Sequence, residues 1–98
     1  MAKFDLYPAP DGGYWIDCQS DLLSGLNSRF VVPLLPYEGV RGEDRRLNPI
    51  FTVHGHEHVM QTHFAAAVPA HLLRKPAGTL IEQEYAIGRA LDMLINGV

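Results

Sequence analysis

The sequence is short of several things, and each shortage excludes a class of protein. Its single cysteine, Cys18, cannot form an internal disulfide, which fits a reducing compartment. No segment approaches the roughly 20 apolar residues needed to span a bilayer. No apolar stretch of signal length follows Met1. The expectation is a soluble, cytoplasmic protein with no membrane partner. Basic residues are also scarce, 8 against 11 acidic, for a net charge of -3. Their one cluster, Arg41, Arg45 and Arg46, lies beside Glu43 and Asp44 and reads as a solvated loop with its own counter-charges. A chain of this charge does not grip nucleic acid by itself, since phosphate binding needs a clustered basic surface.

What is present is ordinary globular material, 47% apolar and 19% charged. The 98 residues make one domain, 1–98. A chain this short buries only roughly 60–65% of its unfolded surface and is marginal alone, which favours dimerisation.

The apolar pattern is that of strands for most of the chain, with strands expected over about 3–75 and a helix over about 79–96. Phe4–Tyr7 and Tyr14–Gln19 read as strands flanking a turn at Asp11-Gly12-Gly13. Arg29–Leu35 is the strongest strand by β-branched content, and Pro33 should set part of it at an edge or a bend. Residues 36–48 form the longest irregular stretch. Ile50–His54 and His58–Thr62 read as a hairpin turning at Gly55-His56-Glu57, and Ala70–Leu73 as a last short strand.

Five or six short strands point to a small barrel or sandwich. The end changes period. Thr79 with Glu82 suggests a capping box, and Leu80, Ile87, Leu91, Leu94 and Val98 recur on one helical face. Gly88 and Ala90 are small enough for close packing, and Asn96-Gly97 is a helix stop.

Catalytic chemistry is thin. His54, His56 and His58, spaced by two, would share one face of a straight strand. Gly55 between them argues instead for a turn that splays them as surface histidines. No metal and no cofactor are expected. Cys18 or Ser20 could pair with a histidine on paper, but neither carries a nucleophile signature, and Cys18 in an aromatic strand reads as a small buried apolar group. Glu43 with Asp44 and Glu82 with Glu84 read as solvated charge. Gln19-Ser20-Asp21 reads as a turn whose side chains bond nearby backbone N–H groups. Leu22-Leu23 just beyond cannot both enter one small core, so one of them is expected on a partner surface.

Taken in order, these segments resemble the CcdB family of toxin–antitoxin toxins. The resemblance rests on Gln19-Ser20-Asp21 with two aliphatics, Val32-Pro33-Leu34, Asn48-Pro49 and Ala67-Val68-Pro69. It is completed by a terminal helix ending aliphatic-x-Gly-aliphatic, and runs from about Phe4 to Val98. It implies an SH3-like antiparallel barrel with a small side sheet and a C-terminal α-helix. It also implies a non-catalytic homodimer that binds the DNA gyrase A subunit and traps the gyrase–DNA cleavage complex. A cognate antitoxin would neutralise it, and the toxin–antitoxin complex would repress its own operon, so that the toxin reaches DNA only through that complex.

Carried over, the gyrase-binding set is Leu22, Leu23, Asp92, Ile95, Asn96, Gly97 and Val98. Two positions depart from the pattern. Asn96 stands where the family pattern has tryptophan, and Asp92 where it has asparagine. Losing a buried aromatic anchor typically costs an interface ~2–4 kcal/mol. Two further readings follow from the same shape. One is a family member that has lost gyrase poisoning but still binds an antitoxin or another target. The other is a MazF-like endoribonuclease toxin, which would need a positioned base and a cationic stabiliser at the scissile phosphate.

Overall fold

Antiparallel strands dominate the regular structure, in a computed structural model that describes residues 2–10, 12–39 and 44–97. They are β1 (Asp5–Pro8), β2 (Tyr14–Asp17), β3 (Ser28–Pro36), β4 (Ile50–Val53), β5 (His56–Met60), β6 (Ala66–Pro69) and β7 (Gly78–Thr79). One helix, α1 (Glu84–Asn96), follows them. The sheet runs β4-β5-β3-β2-β1-β7, with β6 branching from β3 as a side leaf. It curls into an antiparallel half-barrel closed by α1. Val98, Asp11 of the first turn, and Arg41 and Glu43 of the charged loop lie outside the described residues.

β3 explains how proline sits in a central strand. Its first half pairs with β6, from Ser28 opposite Pro69 to Val31 opposite Ala66. Its second half pairs with β5, from Leu34 opposite Met60 to Pro36 opposite His58. Pro33 occupies the gap where one neighbour replaces the other. Its carbonyl accepts from the Gln61 N–H at 2.8 Å, and its missing N–H would have pointed the same way, where no strand waits for it.

Side-chain alternation sorts the sheet into two faces. Leu6, Ile16, Val32 and Leu34 join Phe51, Val53 and Met60 in the main core, which Ile87 and Ala90 of α1 cover. Tyr7 and Val31, one residue out of phase, form a second cluster with Leu73, against which Trp15 and Val68 pack. Gly13 sits at φ 68° against β3, where a Cβ would collide with the Leu34 carbonyl. Only glycine lets the β1–β2 connection lie that close.

Several local expectations are corrected. The β4–β5 hairpin turns at His54-Gly55, with Val53 opposite His56, so His56 and Glu57 are strand residues. Both turn residues have positive φ, 50° and 83°, as a two-residue loop matching the strand twist requires. Ala70–Leu72 is a 3-10 turn and not a strand. Ala70 donates to the Asn27 carbonyl at 2.7 Å, and the turn then drops Leu73 into the second cluster. The last strand is Gly78–Thr79, paired with β1.

Thr79 makes no capping box, because its backbone is held in β7. Its Oγ1 accepts instead from the Ile81 N–H at 3.2 Å, Ile81–Gln83 forms a 3-10 turn, and α1 starts at Glu84. Finally, Gly88 faces open space, so Ala90 alone provides the close helix packing. Leu94, read as part of the buried helix face, is 42% exposed.

Candidate functional site at an exposed leucine turn and a helix tip

Ser20 and Asp21 open a single 3-10 turn, Asp21–Leu23, whose leucines face water. Leu22 is 94% exposed and Leu23 50%. The turn is held from behind by polar side chains. Ser20 Oγ accepts from the Leu22 N–H at 3.2 Å, and Asp21 Oδ1 accepts from the Lys3 N–H at 2.9 Å. Gln19 is buried and bridges two elements. Its Oε1 accepts from the Phe30 N–H at 3.0 Å, and its Nε2 donates to the Leu23 carbonyl at 2.9 Å. The polar triplet is therefore the expected turn, but only Ser20 bonds a neighbouring N–H, while Asp21 ties it to Lys3 and Gln19 to β3.

Beneath it lies an ion pair that no local pattern announced. Asp17 and Arg29 are both fully buried. Arg29 Nε and Nη2 donate to Asp17 Oδ2 at 3.0 and 2.6 Å, while Oδ1 accepts from the Gln19 N–H at 3.1 Å. Among the described residues, Arg29 Nη1 and the Tyr7 hydroxyl are buried without hydrogen-bond partners. The Tyr7 phenol is pushed up by burial first and by the charges of Asp5 and Asp17, with Arg29 opposing. A fully buried ion pair is costly to desolvate and costly to break one-sidedly, so the pair fixes where the turn sits more than it adds net stability.

The second exposed apolar feature is the end of α1. Ile87 and Ala90 are fully buried, but in the last turn the stripe runs out into solvent. Ile95 is 72% exposed, and Asp92, Asn96 and Gly97 are exposed beside it. Gly97 ends the helix in the left-handed conformation at φ 76°, its N–H donating to the Met93 carbonyl at 2.9 Å. That is the stop the Asn96-Gly97 pair foretold. The body of α1 packs principally against the Thr62–Phe64 and Ile81–Gln83 turns. Within one chain, then, Leu22-Leu23 and the helix tip stand on separate supports.

The histidines gather elsewhere. His54 Nε2 lies 2.9 Å from the Ala77 carbonyl, and His58 Nδ1 lies 3.0 Å from the His56 carbonyl. Both rings flank Tyr14, with centroids 6.4 and 5.3 Å away. A cavity of about 430 Å³ opens between these rings, Tyr37 and Glu57. Among the described residues no three His, Cys, Asp or Glu side chains assemble as a metal would require. His58 corrects the reading of surface histidines, because it is buried.

The paper nucleophiles are otherwise engaged. Burial, with the Asp17 charge next, pushes the Cys18 thiol up to about 12 against a smaller opposing effect of Lys3, so no thiolate forms at neutral pH. Asp44 is held below the usual carboxylate range by its hydrogen bonds from Arg46, a solvated pair as read from the loop. No helix among the described residues is long and apolar enough to cross a membrane.

With this geometry in place, comparison with known families is decisive. A family model described as CcdB protein matches residues 3–97, almost the whole chain. No curated protein matches the sequence.

Proposed function

The chain belongs to the CcdB family of toxin–antitoxin toxins, and on that premise we propose that it acts without catalysis, as a poison of DNA gyrase. In this reading a cytoplasmic homodimer presents Leu22, Leu23, Asp92, Ile95, Asn96, Gly97 and Val98 to the gyrase A subunit and traps the cleavage complex. A cognate antitoxin neutralises it, and the complex of the two represses their operon. The observation that carries the reading is the exposure of Leu22 and Ile95, 94% and 72%, on two separate supports. Large aliphatics held out in water are unfavourable for a lone domain and mark a surface made to be covered. Dimerisation suits a small chain with further apolar surface at Phe64 and Leu72.

Asn96 supports a second reading, in which the chain keeps its antitoxin but poisons gyrase weakly. It is exposed at the last position of α1, where the family pattern implies an aromatic anchor. One experiment separates the two. Purified protein is added to gyrase and supercoiled DNA, and cleaved DNA is counted after denaturation. The first reading expects cleaved DNA from the wild type. The second expects little from the wild type and a gain from Asn96→Trp of about 30-fold or more in potency, the equivalent of ~2 kcal/mol or more of anchor energy. Cleaved DNA from neither protein at high concentration overturns gyrase poisoning altogether.

A further inference from the structure

A second cavity, of about 210 Å³, lies between the Arg45-Arg46 segment and the first two turns of α1. Among the described residues Arg45, Arg46, Pro49, Tyr85, Ala86 and Arg89 line it. Three of its six lining residues are arginines, in a chain of net charge -3, and the Asp44 carboxylate stands at the Arg46 guanidinium.

Each arginine is already oriented. Arg89 lies 5.7 Å from the centroid of the Tyr85 ring and makes no ion pair among the described residues. Arg45 lies 5.1 Å over the Tyr37 ring and donates from Nη2 to the Tyr37 hydroxyl at 3.2 Å. Arg46 donates to Asp44 from Nη2 at 3.2 Å and from Nε at 3.4 Å. That last pair is solvated, its side chains 68% and 40% exposed, so it contributes little and yields readily to a competing oxyanion. The wall beside Arg89 is Tyr85, an aromatic side chain 75% exposed.

We propose that this cavity binds the phosphate of a nucleotide, with Arg89 and Arg46 on the phosphate oxygens and Tyr85 against the base. The guanidinium fork matches phosphate oxygens two at a time, which an ammonium cannot do. An exposed aromatic beside the cations adds stacking, which a bare anion site lacks and nucleotide sites use. The space suits one phosphate and not a length of backbone. The nucleotide is either free or the accessible unit of a single strand.

The test is calorimetric titration of the full-length protein at low salt. The probes are adenosine monophosphate, adenosine, inorganic phosphate, an eight-residue oligothymidine and an oligoglutamate peptide. The expected order is adenosine monophosphate above inorganic phosphate, with adenosine not binding. Oligothymidine binding more than tenfold tighter than the mononucleotide assigns the source as a strand, and comparable affinities assign it as free nucleotide.

Arg89→Ala should weaken nucleotide binding at least tenfold, and Asp44→Asn should strengthen it severalfold by removing the carboxylate that competes for Arg46. Thermal melts check that each variant folds. Should Arg89→Ala fail to fold, Arg89→Lys keeps the charge without the fork and should still lose several-fold in affinity. The proposal is overturned if no nucleotide binds at millimolar concentration, or if adenosine binds as well as its monophosphate. It also fails if Asp44→Asn leaves affinity unchanged, or if oligoglutamate displaces the nucleotide. Gyrase is absent from every arm, so the outcome is independent of the poisoning reaction.

Discussion

The two exposed apolar segments are built on opposite principles. The leucine turn Asp21–Leu23 rests on buried polar groups: Asp17 and Arg29 paired at 0% exposure, and Gln19 joining that pair to the turn and to β3. The helix tip rests on apolar packing two turns back, at Ile87 and Ala90, and on one left-handed glycine. A polar support is all-or-none, since removing one partner strands the other in a low dielectric. An apolar support degrades gradually with the area lost. The leucine turn should therefore be the brittle half of the proposed surface and the tip the tolerant half.

The largest test of that contrast is to break the buried pair. Asp17→Ala leaves the Arg29 guanidinium uncompensated and should cost ~3–5 kcal/mol, read from the urea midpoint at constant slope. Replacing both partners by apolar residues, Asp17→Leu with Arg29→Met, should recover much of that loss. A single-variant cost below ~1 kcal/mol would mean the turn is held by Ser20 and Asp21 alone, and the two supports would not differ in kind.

A pH titration sharpens the same contrast with a smaller effect. Cys18 sits between Asp17 and Gln19, and its thiol is raised from 9.0 to about 12 mainly by burial. A raised acid of this kind stabilises the fold fully below its unfolded value. The contribution is lost as pH climbs from about 9 toward 12, because the unfolded chain releases the proton first. The expected slope in that window is about 1.4 kcal/mol per pH unit. Tyr7, raised in the same direction, steepens it above pH 10. Cys18→Ala should lack the part of the slope that begins near pH 9, measured by chemical denaturation at successive pH values. An unchanged slope would show that alkaline weakening arises elsewhere.

How much of this could be read beforehand follows from the same division. The tip was legible because its signals are local: a 3.6-residue apolar stripe and an Asn-Gly stop. The exposed leucines were legible in part: two adjacent side chains that cannot both enter one small core put one of them outside, and the structure leaves both in water. The Asp17–Arg29 pair was not. An aspartate inside an aromatic strand and an arginine opening the next carry no local sign of pairing, and only the β2–β3 register brings them together.

The His54-Gly55 turn was read too late because its first residue is histidine, where asparagine or aspartate would have signalled positive φ. The false capping box had the right residues in the right spacing, yet pairing of Thr79 with Asp5 took that backbone before the helix could use it. In the second miss a long-range pairing overrode a local preference.

The smallest stability effect is expected where the functional effect should be concentrated. Leu22→Ser and Ile95→Ser each replace a side chain that touches mostly water, 94% and 72% exposed, so each should leave stability within ~0.5 kcal/mol. Both should lower the yield of cleaved DNA in the gyrase assay. The double variant then decides whether the segments act as one surface. If gyrase covers both together, the free-energy costs fall short of additive, as for neighbours in one interface, whereas independent contacts add. Full potency from Leu22→Ser would remove the leucine turn from the surface and leave the tip alone. Its polar support would then be a feature of folding only, and the brittle half of the comparison would have no part in toxicity.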